Sequence, residues 1–177
     1  MIQVGVGALV GFALGAALVA PKKKDPVSPL TGVSKQAWSA FCRRMACSPT
    51  GLKAPSGKLG AFAFSPRRLV DLGIASNATR ENNAWKASFR PPFSEVSFLK
   101  LPRVQYAAFV KSNRRYFPKA VSKRGLSVDG NLVTVSGALA ILHLAGEAGF
   151  DSWLSDSKVR KRFSNTTEAF ISCNGVF

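Results

Sequence analysis

Acidic residues are scarce in this sequence, and over one long stretch they are missing. No Asp or Glu occurs between Asp25 and Asp71. That stretch therefore supplies no carboxyl for acid–base chemistry. Histidine occurs once, at His143. A zinc site needs at least three ligands, and His143 with Glu147 offers two, so no metal is expected. A Ser-His-Asp triad would have to use His143, which lies between Leu142 and Leu144, and no G-x-S-x-G elbow is present. Cysteines number three, Cys42, Cys47 and Cys173. An odd number argues against a full disulfide framework, and no C-x-x-C pair suits zinc. No phosphate loop or dinucleotide fingerprint appears, and no cofactor is expected. There is no internal repeat.

Basic residues dominate instead. Lys and Arg total 25 against 9 Asp and Glu, a formal charge of +16. Such an excess points to an anionic partner: nucleic acid, an acidic surface or an anionic wall polymer. Clusters lie at Arg67 and Arg68, at Arg114 and Arg115, and at Lys158, Arg160, Lys161 and Arg162. Several stand beside Phe or Tyr, a mix that grips phosphates and stacks bases. No motif of a known DNA-binding fold accompanies them, so any nucleic-acid contact is expected to be nonspecific.

The first twenty residues, "MIQVGVGALVGFALGAALVA", carry no charge. As a helix they would span about 30 Å, the thickness of a bilayer core. No Lys or Arg precedes them, which disfavours a secretory signal. One transmembrane helix is therefore expected over 1–20, with the lipid bilayer as a partner. Lys22, Lys23 and Lys24 then orient the rest toward the cytoplasm. Gly7, Gly11 and Gly15 share a face on which two such helices could pack into a homo-oligomer. The expected location is a single-pass protein of a bacterial inner membrane or a virion membrane.

Residues 21–33 read as a basic, Pro-rich linker, and 34–177 as one domain. Ser34 caps a helix whose stripe is Trp38, Phe41, Cys42 and Met45. Phe62 and Phe64 alternate before a Ser65-Pro66 turn and a short helix closed by Gly73. Residues 76–97 look irregular. A helix follows over 102–117, with Gln105, Tyr106, Phe109, Val110 and Tyr116 on packed faces and Pro118 as its stop. Asp129-Gly130 pivots a small hairpin. Ser136 opens an apolar helix holding His143, read as a hydrogen-bonded structural residue, and Glu147, read as a surface charge. Thr166 or Thr167 caps a last helix; with Asn165 as the cap instead, Glu168 would complete a capping box. The fold class is mainly α with Gly-rich loops.

Two segments carry a resemblance. "GKLGAFAFSPRRLVDLGI" and "VDGNLVTVSGALAILHLAGEAGFDSWL", with the closing "NTTEAFISCNGVF", resemble lysozyme-like, lytic transglycosylase-like proteins of phages and prophages. Order and spacing agree over about residues 34–177. The resemblance implies a lysozyme-like helical domain, peptidoglycan as partner, and a cleft beside Lys58, Gly60, Phe62 and Phe64. It also implies a glutamic acid at the end of the first domain helix as general acid. That chemistry needs a carboxyl kept protonated by apolar surroundings. The corresponding place is Met45. The polar residue that follows the turn in related lytic enzymes falls at Ala63. Glu81 and Glu95 are the remaining weak substitutes. The implied protein is a pseudoenzyme, a structural or peptidoglycan-binding virion component. The alternatives are an active transglycosylase with a relocated acid, or a protein contacting DNA during packaging or ejection.

Overall fold

The computed structural model describes residues 28–46 and 48–177. Among these, seven helices and two small antiparallel hairpins follow one another. Helix α1 spans Lys35–Met45 and α2 spans Pro66–Asp71. Strands β1 (Ala75–Glu81) and β2 (Ala84–Phe89) form the first hairpin. Helices α3 (Glu95–Lys100) and α4 (Pro102–Ser122) come next. The second hairpin pairs β3 (Ser127–Val128) with β4 (Asn131–Leu132). Helices α5 (Val135–Ser155), α6 (Ser157–Arg162) and α7 (Ser164–Cys173) complete the order.

The expectation of a membrane helix is corrected. No helix among the described residues is long and apolar enough to cross a membrane. The two 21-residue helices show why. Helix α4 carries five cations, Arg103, Lys111, Arg114, Arg115 and Lys119, along its length. Helix α5 is apolar only up to Gly146, where φ is 77° and the helical path breaks, and Glu147 and Asp151 follow. Residues 1–20, with Gly7, Gly11 and Gly15, lie outside the described residues. A single-pass membrane location is not supported.

Local signals set most helix starts. The Ser34 Oγ accepts the Ala37 N–H at 3.1 Å, and the Ser65 Oγ accepts the Arg68 N–H at 3.3 Å. These bonds satisfy amides that the helix itself leaves open. Elsewhere packing overrides local rules. Helix α4 does not stop at Pro118 but continues to Ser122, burying Ala120 against the core. Helix α5 starts one residue early, because the Thr134 Oγ1 accepts the Gly137 N–H at 3.2 Å. Ser136 instead donates to the Cys173 carbonyl at 2.7 Å, joining α5 to α7. Neither threonine nor Asn165 caps α7, whose N-cap is Phe163, without a side-chain bond.

Residues 75–89 are not irregular. They pair from Ala75↔Phe89 to Glu81↔Ala84. Asn82 and Asn83, at φ 47° and 63°, supply the two-residue turn. Two positive φ values in sequence are what a type I′ hairpin turn requires, and Asn tolerates them.

The core sits between α1, α4, α5 and α7. Phe41 stacks near Phe109 and meets Phe177 edge-on, with centroids 5.8 and 5.4 Å away. Phe62 lies flat on Phe109 at 4.1 Å. Gly137 allows α7 to approach α5: a Cβ there would stand 2.8 Å from the Phe170 ring and 2.6 Å from Asn174 Oδ1.

Candidate functional site

The loop between α1 and α2 determines the shape of one side of the molecule. It folds on itself through bridges Lys53↔Leu59 and Leu59↔Phe64. Two buried side chains from other elements hold it. Gln105 of α4 accepts the Ala61 N–H at 2.8 Å and donates to the Thr50 and Phe98 carbonyls at 2.8 and 2.9 Å. Gly60 makes this approach feasible: its φ is +72°, and a Cβ would fall 2.4 Å from Gln105 Oε1. His143 of α5 places its Nε2 2.8 Å from the Phe62 carbonyl. That carbonyl can only accept, so Nε2 carries the proton and Nδ1 is the bare nitrogen.

His143 is thus a structural residue, buried edge-on between Phe64 and Phe109. Burial lowers its pKa from 6.5 to about 4, against the raising effect of the Phe62 bond, with Arg68 and Lys58 adding to the depression. Between those values the unfolded chain binds a proton that the folded chain refuses. Stability is therefore full above about pH 6.5 and declines toward about pH 4, by on the order of 3 kcal/mol. Urea midpoints compared at neutral pH and near pH 4 should show this decline in the native chain. His143→Gln, which keeps a donor for Phe62 but cannot titrate, should show a shallower one. Equal slopes in both chains would remove His143 from the account.

The resemblance placed the cleft beside Lys58, Gly60, Phe62 and Phe64. The structure divides that set. Phe62 and Phe64 are 7% and 1% exposed and belong to the core, and Gly60 is covered by Gln105. Lys58 alone faces a groove of about 520 Å³ between the end of α1, the loop and α7. Met45 and Ala63, the positions at which an acid and a polar residue were expected, both line this groove. Arg44, Lys58 and Glu168 are the charged residues on its walls, with Ser48, Ser56 and Ser172 among the hydroxyls.

The weak substitutes Glu81 and Glu95, and the nearby carboxylate Asp71, lie elsewhere. Glu81 is exposed on the first hairpin, where its ion pair with Lys86 holds its pKa below the usual carboxylate value. Glu95 opens α3 and pairs with Lys53 at 2.6 Å. Asp71 pairs with Arg68 at 3.4 Å. Neither Glu81, Glu95 nor Asp71 lines the groove. Glu168 does. The early start of α7 puts it in the second turn rather than in a capping box. It is solvent-exposed, whereas a general acid for glycoside cleavage sits in apolar surroundings. The groove can hold a ligand but does not present the pair of carboxylates that cleavage uses.

Many of the basic residues are engaged in the fold. Arg68 is buried, donating to the Leu142 carbonyl at 2.8 Å and lying over the Tyr116 ring. Arg114 donates to the Pro29 carbonyl at 3.1 Å and Arg115 to the Asp71 carbonyl at 3.0 Å. Arg67 lies 4.4 Å over Trp85. Arg160 grips both Asp129 oxygens, at 2.7 and 2.8 Å. Lys158, Lys161 and Arg162 stay in solvent on α6, which has no buried residue. Cys42 is no nucleophile, since burial pushes its thiol up to about 12. Cys173 lies in the core and Cys47 outside the described residues.

Glu147 lies beyond the break in α5, exposed and 4.0 Å from Lys119. Gln105 of α4 is the loop-holding residue to which sequence reasoning gave only a packed face, although a Gln on such a face was itself the signal. Comparison with protein-family models, with curated proteins and with solved structures gives no match for this chain.

Proposed function

We propose that the chain is a lysozyme-like protein that binds peptidoglycan-type glycan without cleaving it. The observation that carries this reading is the groove in which Met45 and Ala63 stand together. The resemblance assigns those two positions to the general acid and to a polar residue after the turn. Both are apolar here, so the proton donor is missing while the concavity remains. Arg44 and Lys58 give its walls positive charge, suited to the carboxylates of the glycan and its peptide stems.

The full chain should sediment with purified insoluble peptidoglycan, and the suspension should keep its turbidity. Reversing both cations in Arg44→Glu with Lys58→Glu should lower the bound fraction about ten-fold. No sedimentation of the native chain would overturn the reading, as would retention on duplex DNA at low salt in its place. Loss of turbidity that stops in Glu168→Gln would also overturn it, in favour of an enzyme with a relocated acid. Glu168, the groove-lining carboxylate among the described residues, motivates this second reading.

A further inference from the structure

We propose that the solvent face of α4 carries a separate site for a single-chain aliphatic carboxylate. A depression of about 450 Å³ lies where α4 passes the end of α2 and the residue pair before β1. Leu72, Ile74 and Ala108, all nearly inaccessible, form its floor, and Phe93 and Val104 its walls. Among the described residues, the charged ones on it are Arg103 and Lys111, both cations. A second depression of about 400 Å³ continues along the helix, sharing Ala107 and Lys111 and adding Tyr106, Val110 and Arg114. It too has no carboxylate among the described residues. From Arg103 to Arg114 the helix rises about 17 Å, so the trough is long and narrow.

Small-molecule sites are usually concave, mostly apolar and furnished with a few placed polar groups. This trough has that form, and its polar groups have one sign. Lys111 is held at the rim by a 2.7 Å bond from its Nζ to the Leu72 carbonyl. An ammonium has three donors, so others remain for a ligand oxygen. Arg114 uses its Nε on Pro29, which leaves the donors of its two terminal nitrogens for a ligand oxygen. An aliphatic tail along the floor with its carboxylate between Lys111 and Arg114 matches both the apolar surface and the charge. A neutral chain would match only the first, and a cationic one would be repelled.

The test is amide-resolved NMR titration of the full chain with decanoate, decanol, decyltrimethylammonium and acetate. Decanoate should saturate, moving amides at Leu72–Ile74 and Arg103–Arg114. Decanol should bind about ten-fold more weakly, and the other two not at all. Ala107→Trp, which fills the exposed point shared by both depressions, should abolish decanoate binding. Lys111→Glu should weaken it about ten-fold. Both variants should sediment with peptidoglycan as the native chain does, which separates failure here from failure of the groove reading. Equal binding of the cationic amphiphile, shifts scattered over the surface, or indifference to Ala107→Trp would overturn the proposal. So would tighter binding, at the same amides, of a Glu-rich amphipathic helical peptide, which would make the site a protein-docking surface.

Discussion

Gln105→Leu should lower the stability of the chain by about 3–5 kcal/mol, the largest loss expected from a single polar substitution here. The estimate follows from what is stranded. Gln105 is fully buried. Its amide oxygen satisfies the Ala61 N–H, and its amide nitrogen satisfies the Thr50 and Phe98 carbonyls. Leucine fills similar space but takes the partner from the buried Phe98 carbonyl and from the part-buried Ala61 N–H and Thr50 carbonyl. Each buried polar group left without a partner costs about 1–3 kcal/mol. Phe98 is near the C-terminus of α3, where the helix offers its own carbonyls no partner, so no local substitute exists. Urea unfolding should show a lower midpoint with an unchanged slope. Gln105→Glu separates the two halves of the role. A carboxylate can accept from Ala61 but cannot donate to Thr50 or Phe98, so it should not rescue. A Glu variant as stable as the native chain would show that donation from residue 105 is dispensable.

Arg68→Met should cost about 2–4 kcal/mol. The cause lies in the break of α5. At Gly146 the helix leaves its path, and one turn before it the Leu142 carbonyl accepts from Arg68 at 2.8 Å. Burial works against the guanidinium and lowers its pKa, and Asp71 only partly offsets this. Methionine keeps the stem against Tyr116 but gives nothing to the carbonyl. Lysine should fail as well, because a point charge cannot reproduce the planar fork over the ring. Hydrogen exchange at residues 146–150 should quicken in both variants ahead of the rest of the chain. Protection unchanged there would show that the break does not depend on Arg68.

What the sequence disclosed was local. Ser34 caps the helix it precedes, and the Ser65-Pro66 turn starts the next, because such a bond spans three residues and needs no partner from elsewhere. The Asp129-Gly130 pivot is equally local. The continuation of α4 past Pro118 was hidden, since a proline's cost is visible in sequence and the packing of Ala120 that offsets it is not. The first hairpin was hidden for another reason. Strand β1 is mostly exposed and lacks apolar alternation, so the alternation of Trp85, Ala87 and Phe89 with Lys86 and Ser88 in β2 had no partner to mark a hairpin. Arg68 read as a surface cation because nothing adjacent in sequence shows that a distant helix breaks above it. The candidate groove was legible only in part. Met45 and Ala63 stood out through the resemblance, whereas Phe62 and Phe64 were assigned to its walls and turned out to hold the loop to the core. Their alternation with small residues fits either role, and the choice depends on α4 and α5.

The contact between the two ends of the described chain bears on how it is made. Phe41 packs against Phe177, and Arg44 reaches the Ser172 carbonyl. During vectorial synthesis, α1 emerges more than a hundred residues before these partners. Phe109 of α4 can meet Trp38 and Phe41 earlier, but the side of Phe41 that faces Phe177 stays uncovered until residues 170–177 have left the ribosome. At about 5–20 residues per second that interval lasts on the order of ten seconds. Over that time the α1 face is only half covered, and a product stalled before residue 170 would leave Phe41 open on the side that Phe177 closes.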